Sequence, residues 1–411
     1  MKILKILYVG LSLILITLVS YSQDKRTTET KVADLLARLP SNDQLLTNKL
    51  MADMISLGET GIRQICNQVV PIGKGDDTRP RYAVESLSRH LSGNIQGNAR
   101  DVWENICINY ATEQTDFGVK DFFMKQLQQF GGVKSAEAMK VYLTSKELCN
   151  PALAVISAAG GKSSESILAE SLKDKDLQCP AAVINALALM SSQVAVNEYI
   201  IWAKINDINI KASAFNALAR SGNDAAYSVL SNAAQDVAYR WEPSGATASL
   251  LNYASVVGQK GDIKKADKIC RLIISKCDDN ITIQNKTAAL GIFVSLHGIE
   301  AAGELLKASS HSNIKYRNAA IQMSLGIPGT EIVKTWISYF PKAAPDAKSE
   351  IIKMLGQRSD PLALPLITAS LSDSDPKVRK EASDAIVMIS GTKAIPALIN
   401  YLMKFQIRST T

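Results

Sequence analysis

Two clusters in this 411-residue chain combine residue types that could hold a ligand or do chemistry. The stretch 71–81 (PIGKGDDTRPR) gathers Lys74, Asp76, Asp77, Arg79 and Arg81 around Gly73 and Gly75. Adjacent carboxylates can hold a cation or sugar hydroxyls, and long polar insertions between helices often bind. Read as a plain structural element, the same loop is solvated, with Asp76 or Asp77 capping the following helix. The second cluster is Tyr239-Arg240-Trp241. Its rings could stack on a sugar or anchor a protein partner. The alternative is that Trp241 fills a gap in the packing.

Catalytic patterns are otherwise missing. Gly161-Lys162-Ser163 ends like a phosphate-binding loop, but the glycine needed five positions earlier is Ile156 and no strand precedes it. A polar turn between helices is the reading that remains. No HExxH, GxSxG, GxGxxG or EF-hand string occurs. His90, His297 and His311 stand in separate segments, none four residues from another histidine. No metal, cofactor or catalytic residue is therefore expected.

The first residues predict export. Lys2 and Lys5 precede an apolar run of 14 residues, Ile6 to Val19, and Ser20 and Ser22 suit a cleavage site. A signal peptide over 1–22 follows, with a mature start at Gln23 and a periplasmic or secreted destination. The run is short for a bilayer, which needs about 20 apolar residues, and no later segment reaches 18 in succession. No membrane span is expected after cleavage. Losing Lys2 and Lys5 lowers Lys plus Arg from 46 to 44 against 39 acids, a net +5. That surplus is scattered, whereas nucleic acid binding wants a basic stripe.

Six cysteines would enter an oxidising compartment. Cys66, Cys107, Cys270 and Cys277 fall on apolar helical stripes and read as buried thiols. Cys149 and Cys179 stand 30 residues apart at nearly equivalent points of adjacent repeats. Packed helices lie about 8–10 Å apart, so a bridge between them needs a local shift.

The positioning elements come from a repeat. Lys348 to Leu371 overlays Arg379 to Leu402 at a shift of 31, matching Pro365 with Pro396 and Glu350 with Glu381. Asn185-Ala186-Leu187-Ala188 recurs as Asn216-Ala217-Leu218-Ala219, and Ile283 and Ala288 recur as Ile314 and Ala319, again 31 on. Each unit reads as two short amphipathic helices. In the plainest one Asp375 is the N-cap, Pro376 sits in the first turn, and Val378, Ala382, Ala385, Ile386 and Ile389 form one stripe. Alanine at 186, 217, 288, 319 and 382 would let helices approach closely. Ala394, Ile395, Leu398 and Leu402 build the next stripe.

These observations predict an all-α fold, an α-solenoid of stacked antiparallel helix pairs. Residues 23–149 hold degenerate repeats and 150–404 the regular array, with a tail at 405–411. Helices are expected at 49–70 and 82–92. Residues 231–262 exceed the period, and 246–276 reads as a tetratricopeptide-like hairpin. The last pair lacks a capping repeat, so the architecture is expected to continue through a longer chain, an oligomer contact or a partner.

The string Asp373-Ser-Asp-Pro-Lys-Val-Arg379 followed by alanine-rich stripes resembles the HEAT-repeat family. Asn209-Ile210-Lys211 and Asn313-Ile314-Lys315 look like weaker copies of its Val-Arg position. The resemblance implies a right-handed superhelix with a concave binding face. A narrower one rests on Leu35 to Pro40, Gly75 to Thr78 and Tyr82 to Leu87. These look like the start of secreted bacterial proteins in which a HEAT array precedes a 3-keto-disaccharide hydrolase-type domain. That implies a carbohydrate-processing context, although the β-rich domain that would carry hydrolysis is missing from this sequence. The leading expectation is an exported, non-catalytic scaffold that binds a protein partner or presents an enzyme module. The alternative is one module of such an enzyme, with a glycan as ligand.

Overall fold

Short side chains bearing an oxygen mark where helices begin, because they accept the N–H groups of the first turn. In the computed structural model, which describes residues 26–93 and 98–408, Thr27, Asp43, Asp116, Asp207, Asn223, Asp262, Asn313 and Asp375 all cap helices in this way. Every regular element among the described residues is helical. The expected signal peptide lies outside them. The chain divides into two compact units, the first ending at Cys179 and the second beginning at Pro180.

The first unit contains α1 (Thr28–Ala37), α2 (Gln44–Ser56), α3 (Gly58–Cys66), α4 (Thr78–Ser92), α5 (Ala99–Glu113), α6 (Phe117–Phe130), α7 (Val133–Met139), α8 (Cys149–Ala159) and α9 (Gly161–Ser171). The single helix expected over 49–70 is two, because Gly58 at φ +64 breaks it. Trp103 is fully buried and its indole N–H donates to Ser88 Oγ at 3.1 Å. Glu104, also buried, accepts from Gly132 N–H at 2.7 Å and Ser135 Oγ at 2.6 Å, fixing the start of α7. The turn at Gly160 and Gly161, both at positive φ, separates α8 from α9 where the phosphate-loop look-alike stood.

Cys149 and Cys179 form a disulfide, with Cα atoms 6.0 Å apart. Helix-to-helix spacing is the wrong distance to apply here. Cys149 is the first residue of α8 and Cys179 lies in the loop before Pro180, where Gln178 N–H donates to Leu143 O at 3.0 Å. The other four cysteines are buried free thiols, as their stripes implied.

The second unit contains α10 (Pro180–Leu189), α11 (Val196–Trp202), α12 (Ile208–Ser221), α13 (Asp224–Asp236), α14 (Ala246–Gln259), α15 (Ile263–Lys276), α16 (Ile283–His297), α17 (Ala302–Ala308), α18 (Ile314–Met323), α19 (Glu331–Tyr339), α20 (Pro345–Arg358), α21 (Leu364–Ser370), α22 (Pro376–Ser390) and α23 (Ile395–Arg408). The first helices of four successive pairs start at 283, 314, 345 and 376, a constant step of 31. The hairpin α14–α15 occupies the expected span, with Gly261 at φ +102 in its turn.

Equivalent positions follow the step. The close-packed site is Ala289, Ala320, Ile351 and Ala382, all fully buried. The expected alanine series was one residue out of register there: Ala288 is exposed and Ala319 only half-buried. The family arginine likewise belongs to Arg317, not Lys315. Arg317 and Arg379 each stand four residues after an N-cap and donate to the carbonyl six residues back, His311 O at 3.4 Å and Asp373 O at 3.0 Å. The guanidinium thus ties each helix to the loop before it. Gly356 is where α20 meets α22; a Cβ there would lie 2.5 Å from Ala385 Cβ.

Two stretches, Ile283–Ala308 and Pro376–Tyr401, are long and apolar enough to cross a membrane by length and composition. Neither is an unbroken apolar run, since polar residues such as Lys286 and Arg379 fall inside them. Gly298 and Gly391 stand at positive φ inside them and interrupt the helices. In the last pair Ala394 is buried, but Ile395 is 51 % exposed, outside the stripe in which it was expected.

Candidate partner-binding edge

The step of 31 is not kept from α10 to α16, where the first helices of successive pairs start at 180, 208, 246 and 283. From α12 to α14 the helix starts are 38 residues apart, seven more than the period. The longer connection includes the turn 237–245, which carries Tyr239 and Trp241.

This turn is held from every side. Tyr239 N–H donates to Ala234 O at 2.9 Å and Ala238 N–H to Gln235 O at 2.8 Å, the paired bonds of a Schellman helix end. Such an end usually places glycine in the left-handed region. Here Ala238 (φ +50) and Tyr239 (φ +55) both occupy it. Each costs roughly 1–2 kcal/mol, and such strain persists only where the surroundings over-determine it. Those surroundings are visible: Asn285 Nδ2 donates to Tyr239 O at 2.7 Å and Thr247 Oγ1 to Arg240 O at 3.3 Å. Downstream, Glu242 accepts from Ser244 N–H, Ser244 Oγ and Ala246 N–H at 2.7–2.8 Å. Burial pushes the Glu242 carboxyl up, but these hydrogen bonds outweigh it and its pKa is lowered overall.

The consequence is a division of labour inside one tripeptide. Tyr239 is buried and fills the gap left by the longer connection, and burial raises its phenol pKa. Trp241 is 78 % exposed on a fixed backbone. The gap-filling role thus belongs to Tyr239.

In a stack of hairpins, connections between successive pairs lie along one edge. The α11–α12 and α13–α14 connections are both of this kind. They flank a groove of about 450 Å³. Lys204 and Lys211 stand on the α11–α12 side, and Asp236 and Glu242 on the α13–α14 side. Phe215, Val229 and Val237 supply apolar lining. Ile201, Ile205 and Ile208 are 61 %, 41 % and 47 % exposed along the same connection. Sequence reasoning missed these isoleucines. Their signal was legible: apolar residues off the helical stripe, Ile205 in an otherwise polar turn and Ile201 and Ile208 at the helix ends beside it.

The other cluster, in the first unit, is mostly structural. Asp77 accepts from Val70 N–H at 3.0 Å and from Arg81 Nε at 2.7 Å, and Arg81 donates to Val70 O at 2.8 Å. Arg81 also lies over the Phe122 ring at 4.6 Å. It follows its N-cap by four residues, the same loop-tying position as Arg317 and Arg379. Asp76 accepts from Thr78 N–H at 3.1 Å, and hydrogen bonding to the Thr78 side chain and N–H lowers its pKa. Lys74, Arg79 and Ile72 face solvent.

His297 and His311 are likewise embedded in local packing. His297 Nε2 lies 2.7 Å from Asp267 Oδ1, and His311 Nε2 lies 2.8 Å from Asp278 Oδ1. His311 Nδ1 accepts from Asn313 N–H at 3.0 Å, so its proton sits on Nε2 and points to Asp278. Among the described residues no group of three His, Cys, Asp or Glu could hold a metal ion.

Comparison with known proteins agrees with this architecture. Residues 333–404 match the family model for HEAT repeats, a stretch that includes both plain copies of the 31-residue unit. No curated protein matches the sequence. Among solved structures, yeast importin-β (Kap95p) is similar at TM-score 0.52 and 12 % identity, covering 92 % of this chain and 59 % of that one. Kap121p is similar at TM-score 0.54 and 12 % identity, covering 92 % and 47 %. The chain therefore spans only about half to three-fifths of the length of these structures. At such identity the likeness concerns the fold, which is an all-helical α-solenoid with residues 333–404 matching HEAT repeats.

Proposed function

We propose that the protein is a scaffold that docks a protein partner on the α11–α14 edge of its second unit. The carrying observation is Trp241, a large aromatic ring held in solvent on a strained turn whose flanking residues are hydrogen-bonded. Exposed tryptophan on a rigid backbone is the preferred anchor of protein interfaces, since little freedom is lost on binding. Solenoids supply extended surfaces for partners, and a similar structure is a complex of Kap95 with Nup1. The test is a photo-crosslinking amino acid placed at 205 or 241, in cells, with position 189 on the opposite edge as control. A defined protein adduct from 205 and 241 but not 189 supports the reading; equal adducts from all three, or none, refute it.

Export is part of the proposal. It rests on the N-terminal charge and apolar pattern, and the Cys149–Cys179 bridge supports it, since structural disulfides belong to oxidising compartments. Sequencing the N-terminus of the native protein checks for a start at Gln23. A second reading keeps the carbohydrate-processing context. The exposed Trp241 ring also suits the face of a sugar, and a glycan rather than a protein adduct at 241 would favour it.

A further inference from the structure

We infer that the occupant of the α11–α14 groove is an amphipathic helix of the partner protein, with acidic residues along one flank and basic residues along the other. This rests on the protein-docking reading and specifies what docks. Three observations carry it.

The first is the state of the backbone around the groove. An extended peptide gains affinity by pairing its main chain with free donors and acceptors. Here Asn209 and Ile210 N–H are taken by Asp207, and Ser244 and Ala246 N–H by Glu242. No strand edge exists among the described residues. A helix satisfies its own backbone and needs only side-chain burial, so it suits such walls.

The second is the apolar content. Ile208, Phe215, Val229 and Val237 line a space of about 450 Å³, and the exposed Ile205 and Trp241 are the chain neighbours of its lining residues Lys204 and Glu242. A helix presents its apolar residues at i, i+3, i+4 and i+7 as one continuous ridge, the shape that fills a trough of this kind.

The third is charge. Lys204 and Lys211 face one side of the trough and Asp236 and Glu242 the other. Glu242 stays ionised at neutral pH because its hydrogen bonds hold its pKa down. A helix flanked only by acids meets Asp236 and Glu242 with like charge, and one flanked only by bases meets the lysines so. Mixed flanks satisfy both walls, and the asymmetry also sets which way the helix runs, because reversing it exchanges its flanks.

The experiment uses the full mature chain and three fluorescein-labelled synthetic helices of about 18 residues. They share one leucine stripe and differ in flanks: Glu on one side with Lys on the other, Lys on both, or Glu on both. Fluorescence anisotropy should show the mixed peptide binding about tenfold or more tightly than either single-sign peptide. Trp241→Ala should weaken the mixed peptide by a similar factor. The double substitution Lys204→Glu with Lys211→Glu, the first exposed and the second half-buried, should transfer the preference to the all-Lys peptide. Equal affinities for the three peptides overturn the inference, as does an unmoved preference in the double variant. If the crosslink at 241 persists in that case, partner docking stands and only the helix falls. If the crosslink is missing as well, both fall.

Discussion

Tyr239 and Trp241 stand two residues apart and should respond in opposite ways to removal. In Trp241→Ala the folded chain loses only the covered fifth of an indole, since the residue is 78 % exposed. A tryptophan buries about 150–250 Å² when fully covered, so that share is worth roughly 1 kcal/mol at about 25 cal/mol per Å². The exposed remainder, about 120–200 Å², represents roughly 3–5 kcal/mol available to a partner. Ordering costs are small because the turn is already fixed, so a loss of about 2–4 kcal/mol in binding is expected. That corresponds to a Kd weakened roughly 30-fold to 1,000-fold. Tyr239→Ala removes a buried ring and should cost about 3–5 kcal/mol of stability. The assays are thermal unfolding of both variants, and calorimetric titration with the protein captured at position 241. Iodide quenching adds a direct check: Trp103 and Trp336 are fully buried and Trp202 is half-buried, so Trp241→Phe should remove much of the quenchable emission. If Trp241→Ala lowers the melting temperature as far as Tyr239→Ala does, or leaves Kd unchanged, the division of roles is wrong.

Three further outcomes follow from the same contacts. Replacing Cys149 and Cys179 by Ser opens a cross-link spanning 30 residues and should lower stability by about 3–4 kcal/mol in the chain-entropy account, read as a shift of the denaturant midpoint. Gly356→Ala pushes a methyl to within 2.5 Å of Ala385 and should destabilise by about 1–3 kcal/mol, since backbone at 2.7 Å stands behind that side chain; a neutral result in calorimetry would mean the repeats can separate freely. Glu242 has a folded pKa below its ordinary 4.5, so its contribution is present above that value and lost as pH falls through the lower, folded value. Trp241 emission should therefore hold steady down to about pH 4.5 and change below it, and Glu242→Gln should lack that acid transition.

The amino-acid sequence by itself determined the elements and their step. Caps such as Asp375, Pro376 in a first turn, and the stripe of Val378, Ala382 and Ile386 are local signals, set by hydrogen bonding within one turn and by the 3.6-residue period. Repetition made them legible, because each pair carries the same instruction at a spacing of 31. The helix break at Gly58 was hidden, since an apolar pattern continues across it. The alanine register slipped by one for a related reason: several residues of an alanine-rich helix look alike until a neighbour selects the face that is covered.

Tertiary structure decided everything that depends on which side chains meet. Asp77 and Arg81 read as a charged ligand site in the linear chain, yet Val70 supplies backbone partners that only folding brings to them. By helix spacing a bridge between Cys149 and Cys179 needs a local shift, yet Cys149 opens α8 and Cys179 lies in the loop before Pro180, where the Cα atoms come to 6.0 Å. Tyr239 and Trp241 formed one aromatic cluster in the sequence. Two left-handed residues turn one ring into the core and leave the other in solvent. Backbone direction is the physical reason: composition names the rings, but the path of the chain through a seven-residue excess chooses the one a partner can reach.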